Sequence, residues 1–424
     1  MDKKDVKIHI IGAGISGLIA AKVLEDHGYG SIILEASDRV GGRVKSDLVE
    51  GFVLDQGFQV LLTAYPAAQK YLDMESLELQ KFIPGAVIFK KGKQAVIGDP
   101  LRDFSLLFSS LKSDIGSFGD KIKSLKLNNY LKSKTLEEIF SSPEKTTLTY
   151  LREYGFSEQM IELFFRPFFS GIYLEPHLQT SSRMFEFVYK MFGTGYAAVP
   201  KGGMEEIPKQ LKRNLKNTEM RFHCPVAKVK DGKILLQDGQ SIDSQFTIVA
   251  SEASGLIQNL KNQEIPWRSC DALYFETKES VIEKPLIGLI PDKDALINNI
   301  FYPTCFSAKD PNFSAKDRKK SQLLSVTIVK DHNYTTEELV DKIKAELKEK
   351  CGIEMARFLK HYPIQKALPQ LKGIRYEMLP SETRLTSTVF LAGDTQLNPS
   401  LNAAMISGER AALALIESIE GVRQ

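Results

Sequence analysis

Apolar and polar positions in the first part of the chain predict a strand, a helix and a second strand. The run 6–11 is mostly apolar and β-branched, with valine or isoleucine at four of its six positions, as in a buried parallel strand. Residues 18–24 are good helix formers at helical spacing, and the apolar run 31–34 predicts a second strand that closes on Glu35. This order of elements is typical of an α/β fold with a parallel sheet.

A glycine-rich turn joins the first strand to the helix, with the spacing G-x-G-x-x-G. Gly12 allows the tight turn, Gly14 lets the backbone approach a pyrophosphate, and Gly17 lets helix and strand pack closely. Glu35 lies where a carboxylate accepts hydrogen bonds from an adenosine ribose. This context predicts a Rossmann-type nucleotide site, whereas the spacing alone also fits a structural glycine turn. The predicted ligands are Gly12, Ala13, Gly14, Ile15, Ser16, Gly17, Glu35 and Ala36.

A second glycine pair follows, flanked by arginines, in the stretch 39–43. Here the chain resembles the flavin amine oxidase superfamily, which includes protoporphyrinogen oxidases and phytoene desaturase-type enzymes. The resemblance implies FAD as cofactor and Arg43 as a phosphate ligand, a role that suits a fixed planar donor. The alternative is a surface turn with solvated arginines. The resemblance implies these cofactor residues: Arg39, Gly41, Gly42 and Arg43, then Gln56, Gly57 and Phe58 beside the isoalloxazine ring.

The far end of the chain resembles the C-terminal flavin motif of the same superfamily. Residues 389–394 predict a strand and a turn, and 401–419 predict a helix rich in alanine. The resemblance implies that Gly393 and Asp394 meet the ribityl chain of the cofactor. It also implies that the backbone N–H groups of Asn402, Ala403 and Ala404 face the flavin ring. The positive end of the helix dipole would then stabilise the reduced flavin. An ordinary helix covering the sheet is the alternative. Amine-oxidising members have aromatic residues near this helix start, and 400–404 contain none.

The middle of the chain contains a second glycine motif, at 193–198, which we do not interpret as a nucleotide site. Pro200 and the glycine pair 202–203 would break the helix that such a site needs. The stretch instead resembles a superfamily segment that returns to the FAD region, and there is no NAD(P)H unit. Residues 222–250 predict a β-meander with two Asp-Gly turns, ending in the strand 246–250. The resemblance implies that Val226 and Ala250 contact the cofactor.

These patterns predict an α/β protein with a discontinuous Rossmann-type FAD-binding domain and an α+β substrate domain. The first comprises 1–70, 191–264 and 381–424. The second comprises 71–190, mostly helical, and 265–380, which mixes strands such as 322–329 with a helix at 335–350.

Composition excludes several classes of function. The net charge of +3 over 424 residues gives no reason to expect nucleic acid as a partner. The four cysteines are scattered without C-x-x-C spacing, so we expect neither a metal site nor a disulfide framework. No apolar run reaches the roughly 18 residues of a spanning helix. We therefore expect a cytoplasmic protein with a small-molecule substrate, either soluble or peripheral on a membrane.

Two apolar clusters have two interpretations each. A helical stripe beside a lysine-rich stretch either packs on the core or touches a membrane surface. An aromatic cluster around Arg166 either belongs to the core or lines an apolar substrate tunnel, with Arg166 meeting a substrate carboxylate. The stripe is Phe104, Leu107, Phe108, Leu111 and Ile115, the lysines are Lys112, Lys121, Lys123, Lys126, Lys132 and Lys134, and the cluster is Phe164, Phe165, Phe168, Phe169 and Tyr173.

The resemblance implies an FAD-dependent oxidoreductase in which a substrate hydride passes to flavin N5. Because the amine cage is missing, we expect an apolar or ring-system substrate and an enzyme of the desaturase or oxidase type. An amine oxidase with an atypical cage, a redox-neutral flavin isomerase and a catalytically silent FAD protein are the alternatives. No residue stands out as a catalytic base, although Tyr362 and Lys366 are candidates.

Overall fold

A computed structural model describes residues 3–90, 92–98, 115–258, 260, 264–306, 321–354 and 356–421. Within these ranges, strands are numbered β1 to β20 and α-helices α1 to α11 in chain order. The strands are β1 Ile8–Ile11, β2 Ser31–Leu34, β3 Ser46–Val49, β4 Phe52–Asp55, β5 Leu61–Leu62, β6 Gln80–Lys81, β7 Gly85–Lys90, β8 Lys93–Gly98, β9 Ala197–Val199, β10 Thr218–Arg221, β11 Val226–Lys230, β12 Lys233–Leu236, β13 Ser241–Asp243, β14 Phe246–Val249, β15 Trp267–Thr277, β16 Ile287–Leu289, β17 Ile297–Phe301, β18 Gln322–Ile328, β19 Ala356–Pro369 and β20 Val389–Leu391.

The helices include one π-helical segment, Ile161–Phe165, between α6 and α7, and short 3-10 turns at Lys3–Asp5, Pro303–Cys305, Pro380–Thr383 and Asp394–Gln396. The α-helices are α1 Ile15–Asp26, α2 Pro66–Tyr71, α3 Phe118–Ser133, α4 Leu136–Ser141, α5 Thr147–Glu153, α6 Glu158–Met160, α7 Arg166–Tyr173, α8 Ser182–Thr194, α9 Glu206–Arg213, α10 Thr336–Cys351 and α11 Leu401–Gly421.

A parallel five-stranded sheet forms one half of the fold, with the order β10-β2-β1-β14-β20. Ile10 of β1 lies beside Ile33 of β2 and Ile248 of β14, and all three are fully buried. Buried apolar strands of this kind form when helices cover both faces of a sheet. The predicted α/β fold with a Rossmann-type sheet is confirmed.

The β-meander is one strand shorter than the sequence predicts. β11, β12 and β13 pair antiparallel with one another, but β14 leaves them and joins the parallel sheet between β1 and β20. The last three residues of β14 are buried, as in a central parallel strand, whereas the alternating burial of β12 suits the meander.

A seven-stranded sheet forms the other half, with the order β19-β15-β18-β17-β16-β7-β8. Its pairs are antiparallel except β16 with β7. The expectation that 71–190 is mostly helical holds for α3 to α8 but misses the β7–β8 hairpin at the sheet edge.

The strands of the parallel sheet come from three separate parts of the chain. The domain boundaries themselves stay a prediction.

The apolar stripe that suggested a membrane contact lies mostly outside the described residues, as does Lys112. Ile115 is described and only 2% exposed, which favours packing on the core. The remaining lysines of the stretch lie on α3 or at its C-terminal end. Among the described residues, every helix is too short or too polar to cross a bilayer.

Candidate active site

One large cavity of about 1220 Å³ connects the parallel sheet to the seven-stranded sheet and to α3, α7 and α8. The residues that follow β1, β2 and β14 line one end of it. Ligands of open parallel sheets bind at the carboxyl ends of the strands, where this end of the cavity lies. Aromatic side chains of α7 and its neighbours line the other end.

The first turn of α1 faces the cavity with its backbone. Gly14 is the N-cap of α1, has an extended backbone (φ −74°, ψ 179°), and gives the helix no side-chain cap. A Cβ atom at Gly14 would meet no atom within 4 Å, and Ile15 and Ser16 line the cavity. The turn therefore presents backbone N–H groups and the positive end of the helix dipole to an anion.

The two glycine motifs lie against each other. A Cβ atom at Gly17 would lie 2.1 Å from the carbonyl oxygen of Gly12, so only glycine lets α1 start this close to β1. The Gly41 N–H group donates to the carbonyl oxygen of Ala13 at 2.9 Å. This bond places Gly42 and Arg43 on the cavity wall beside the first turn of α1.

Glu35 is a fixed carboxylate at the end of β2, with 8% of its surface exposed. One carboxylate oxygen accepts from the Ala13 N–H at 2.7 Å, and the other accepts from the N–H and hydroxyl of Ser37 at 2.9 and 2.7 Å. A carboxylate has about four acceptor sites. About one therefore remains for a ligand hydroxyl, which suits the predicted contact with a ribose.

Arg43 and Asp394 form an ion pair at the cavity wall, with 2.6 Å between guanidinium nitrogen and carboxylate oxygen. Arg43 also donates to the carbonyl oxygen of Ala367 and lies 5.3 Å from the centre of the Trp267 ring. Burial lowers the pKa of Arg43, but the charge and hydrogen bond of Asp394 outweigh it and raise that pKa. The guanidinium is therefore always charged.

The return segment contributes Gly193, Gly195, Tyr196, Ala197 and Met204 to the cavity wall. It is not a second nucleotide site, because α8 occupies Ser182–Thr194 where a strand would be required.

The Met204 N–H group donates to Asp55 at 2.8 Å, and the Ser46 hydroxyl donates to the same carboxylate oxygen at 2.6 Å. These bonds tie the return segment to the β3–β4 hairpin. Burial raises the pKa of Asp55 to about 6, against the effect of both hydrogen bonds.

The other end of the cavity, which we call the aromatic end, is lined by Phe164, Phe168, Phe169 and Tyr173. Phe164 and Phe168 are stacked, with 5.4 Å between ring centres. Phe165 is fully buried and packs on Phe156 and Phe185 instead, outside the wall. The cluster therefore combines the two interpretations, since Phe165, Phe169 and Tyr173 are buried in the core while all of its members except Phe165 also line the cavity.

The family model for flavin-containing amine oxidoreductases matches residues 15–416. The chain belongs to this family. Its cofactor is FAD, and it is an FAD-dependent oxidoreductase, as the sequence predicts.

Among curated proteins, mitochondrial protoporphyrinogen oxidase of Nicotiana tabacum is 26% identical over 167 residues, 39% of this chain and 32% of that protein. The match thus spans about a third of the relative.

Two solved structures share the fold at low identity. A putative protoporphyrinogen oxidase from Exiguobacterium superposes with a TM-score of 0.68 at 17% identity, covering 99% of this chain and 100% of that one. A putrescine oxidase bound to putrescine superposes with a TM-score of 0.70 at 16% identity, covering 97% and 99%.

The flavoprotein cavity brings together most of the cofactor residues that the sequence singles out. The first turn of α1, the Glu35 carboxylate and Arg43 fit the ribose and pyrophosphate of FAD, since they supply hydrogen-bond acceptors for hydroxyls and donors for phosphates. The predicted ligands on the wall are Gly12, Gly14, Ile15, Ser16, Glu35, Ala36, Gly41, Gly42, Arg43, Gln56, Gly57, Phe58, Val226, Ala250, Gly393, Asp394 and Ala404. The predicted ligands off the wall are Ala13, Gly17, Arg39, Asn402 and Ala403.

Arg39 lies away from the cofactor cavity and has another role. Its guanidinium pairs with Asp47 at 2.6 Å and with Glu205 at 2.9 Å. Asp47 belongs to β3 and Glu205 precedes α9, so the arginine ties the hairpin to the return segment. The structure does not support Arg39 as a cofactor residue, because Asp47 and Glu205 hold its guanidinium away from the cavity wall.

The start of α11 also differs from the prediction. Ser400 caps the helix, because its hydroxyl accepts from the Ala403 N–H and its carbonyl oxygen accepts from the Ala404 N–H, both at 3.0 Å. Asn402 and Ala403 are fully buried, and the Asn402 side chain accepts from the Ala67 N–H. The helix therefore does not present all three predicted residues to the flavin. Pro399, Ser400, Leu401 and Ala404 line the wall there.

The two candidate bases are engaged elsewhere. The Tyr362 hydroxyl donates to Asp47 at 2.8 Å, and burial, together with that carboxylate, raises the pKa of Tyr362. It does not line the cavity. Lys366 lines the cavity but is paired with Glu252.

Arg166 does not reach a substrate, because it pairs with Glu162 at 2.7 Å and donates to the carbonyl oxygen of Pro176. It lies off the cavity wall. The arginine at the aromatic end is Arg268 of β15, which the sequence analysis missed. Its only sequence signal is a charge at the start of a long strand, which is common on surfaces.

Proposed function

We propose that this flavoprotein removes a hydride from an apolar or ring-system substrate bound at the aromatic end of the cavity. The observation that carries the proposal is the wall itself. Phe164, Phe168, Phe169 and Tyr173 form a continuous apolar surface in the same cavity as the flavin residues. Ligand pockets of this composition bury apolar molecules and use few polar groups for orientation.

The carboxylates of the wall support an apolar substrate over a cationic amine. Among the described residues, Glu35, Glu252 and Asp394 are the acidic residues on the wall. Glu35 accepts three hydrogen bonds, Glu252 pairs with Lys366, and Asp394 pairs with Arg43. An ammonium group entering the cavity would therefore lose its hydration without gaining an unpaired carboxylate, which is costly.

The start of α11 supports the same conclusion. Pro399, Ser400, Leu401 and Ala404 line the wall, and none is aromatic. An amine cage built from rings at this helix start is therefore missing, so a substrate amine would find no ring faces there for cation–π contacts.

The residues have the following roles in the proposed reaction. Bound FAD supplies a hydride acceptor. The aromatic side chains exclude water and hold the reacting C–H bond in place, which raises the effective concentration of the reactants. Arg43 and the first turn of α1 hold the negative charges of the cofactor, so the cofactor stays fixed while the substrate exchanges.

The test is an anaerobic stopped-flow panel of amines, porphyrinogens and polyenes, scored by bleaching of the flavin absorbance. We expect bleaching by a ring-system or polyene compound and slow or no bleaching by simple amines. Rapid bleaching by putrescine or benzylamine would refute the proposal. Product formation that needs prereduced flavin, without net oxidation, would indicate the isomerase alternative.

A matched pair of variants locates the substrate. Phe168→Leu changes the wall, whereas Phe165→Leu changes a ring that is buried off the wall. We expect only Phe168→Leu to change the KM for the bleaching compound, and both to lower stability by about 1 kcal/mol. Equal KM values for the two variants would contradict binding at the aromatic end.

A further inference from the structure

The cavity wall carries a guanidinium at the aromatic end, on Arg268 of β15. Among the described residues, no carboxylate lies within ion-pair distance of it, in contrast to Arg43 in the same cavity. Burial lowers the pKa of Arg268, so the surroundings disfavour its charge. Arg268 is partly buried, and removing a charge from water without pairing it costs free energy, which a ligand of opposite charge would offset.

The hydrogen bonds of Arg268 use only one side of the guanidinium. Nη1 donates to the carbonyl oxygen of Tyr173 at 2.7 Å and to the Thr180 hydroxyl at 2.9 Å. These bonds hold the side chain at the end of α7. A guanidinium has five N–H donors, and Nε with Nη2 can hold a carboxylate through two parallel bonds. The planar group is thus positioned with donors to spare.

Glu175, the carboxylate whose charge acts on Arg268, already accepts hydrogen bonds from the backbone. Its carboxylate accepts from the N–H groups of His177, Gln179 and Thr180, with 2.6 Å to Gln179 and 3.2 Å to Thr180. Its charge favours the charged form of Arg268, but burial outweighs this effect. Glu175 therefore stabilises the loop after α7 and does not neutralise the arginine.

Tyr173, whose backbone carbonyl accepts from Arg268, carries a second donor on its side chain. The Tyr173 side chain is 2% exposed and lines the cavity, and its buried hydroxyl has no hydrogen-bond partner among the described residues. Buried hydroxyls are normally paired, so this unpaired hydroxyl lacks an acceptor. Arg268 and Tyr173 thus place a cation and a neutral donor at the same apolar wall.

We propose that Arg268, assisted by Tyr173, binds the carboxylate of the substrate, so that the substrate is an apolar molecule with an acidic head group. This inference rests on the proposed function, because it assumes that the substrate occupies the aromatic end. It assigns the carboxylate contact, which one of the two interpretations of the sequence gave to Arg166, to an arginine that lies on the wall.

The test measures binding to the FAD-loaded protein by calorimetry, with three pairs of probes: decanoate and decanamide, hexadecanoate and hexadecanamide, and 2-naphthoate and 2-naphthamide. We expect at least one carboxylate to bind about tenfold or more tightly than its amide, the size of one charge-assisted contact. Arg268→Met should abolish that preference and leave the Kd of the amide unchanged. Arg166→Met removes a paired arginine near α7 and should leave the preference intact.

Two variants keep the test decisive. If Arg268→Met does not fold, Arg268→Lys provides a variant that retains the charge, and it should keep part of the preference for carboxylate over amide. Tyr173→Phe should reduce that preference less than Arg268→Met does. The inference would be overturned if carboxylate and amide bound equally in all three pairs. It would also be overturned if Arg268→Met or Arg268→Lys kept the full preference for the carboxylate. Arg268 would then have only a structural role, linking β15 to the end of α7. The flavin-bleaching panel is independent of this readout, so carboxylate binding without oxidation of any apolar compound would refute only the proposed function.

Discussion

The contact between α11 and α1 gives a sharp prediction for Gly408→Ala. A Cβ atom at Gly408 would lie 2.2 Å from the carbonyl oxygen of Ser16 and 3.0 Å from its carbonyl carbon. Carbon–oxygen contacts need about 3.3 Å, so the two helices would have to separate by about 1 Å. The contact atoms belong to the backbone of α1, so rotation of a side chain cannot relieve the clash.

The magnitude follows from two opposing effects. Alanine in place of glycine within a helix is favourable by about 1 kcal/mol. Overpacking of a close contact costs about 1 to 3 kcal/mol, and a backbone contact with no slack lies at the upper end. We therefore expect Gly408→Ala to lower the free energy of unfolding by about 2 kcal/mol. Because Ser16 lines the cavity, the same displacement should weaken FAD binding by about tenfold, or 1.4 kcal/mol.

Urea unfolding followed by circular dichroism measures the stability, and recovery of flavin fluorescence on dilution measures the FAD dissociation constant. Gly421→Ala, at the end of the same helix, is the control, because a Cβ atom there would meet no atom within 4 Å. We expect it to change stability by no more than about 0.5 kcal/mol. If Gly408→Ala were more stable than the wild type and bound FAD normally, helix propensity would dominate and the close approach of the helices would be wrong.

Three further predictions concern charged and hydroxyl groups. Burial raises the pKa of Asp55 from 3.8 to about 6, so the free energy of unfolding of the wild type should fall as pH rises from 4 through 6. In urea unfolding over that pH range, Asp55→Asn should become more stable relative to the wild type by up to about 3 kcal/mol. A stability difference that does not change with pH would contradict the raised pKa of Asp55. Arg43→Met should weaken FAD binding by about 10- to 100-fold, since it removes a charged donor and leaves buried Asp394 unpaired, and an unchanged Kd in flavin fluorescence would refute the contact. Tyr362→Phe should leave the rate of flavin bleaching unchanged, because its hydroxyl is bound to Asp47; a fall of tenfold or more would restore Tyr362 as a base.

The cofactor end of the site was predictable because its signals are local. Gly12, Gly14 and Gly17 act through their own backbone and through the strand and helix beside them, all within a few residues. The second glycine motif was equally informative, since the Gly41 N–H group bonds to the first motif. Local geometry of this kind depends on residue type and spacing, both of which a sequence displays.

The arginines show what a sequence does not display. Arg39 and Arg43 are four residues apart, yet the first meets Glu205 and the second meets Asp394. Which carboxylate each arginine finds depends on contacts between distant segments. The same reason explains why the sequence offered Arg166 as one possible substrate contact and did not single out Arg268.

Sheet membership was limited in the same way. β14 has an apolar pattern that suits either the end of a meander or a central parallel strand, and only its pairing with β1 decides between them. The β7–β8 hairpin reaches the second sheet through a parallel contact with β16, which lies far along the chain. Pairing partners at such separations leave no local pattern.

The order of strands in the parallel sheet also constrains how the protein is made. β14 is paired on one side with β1, but its other neighbour, β20, is synthesised much later. During translation the open edge of β14 therefore stays exposed while the whole intervening segment emerges, a situation in which chains slow down and associate wrongly. Asp394, which follows β20, is the partner of Arg43, so the cofactor cavity is complete only after β20 has been synthesised. FAD can then bind only after this point and stabilises the native state by mass action, so flavin supply should affect the yield of folded protein in cells.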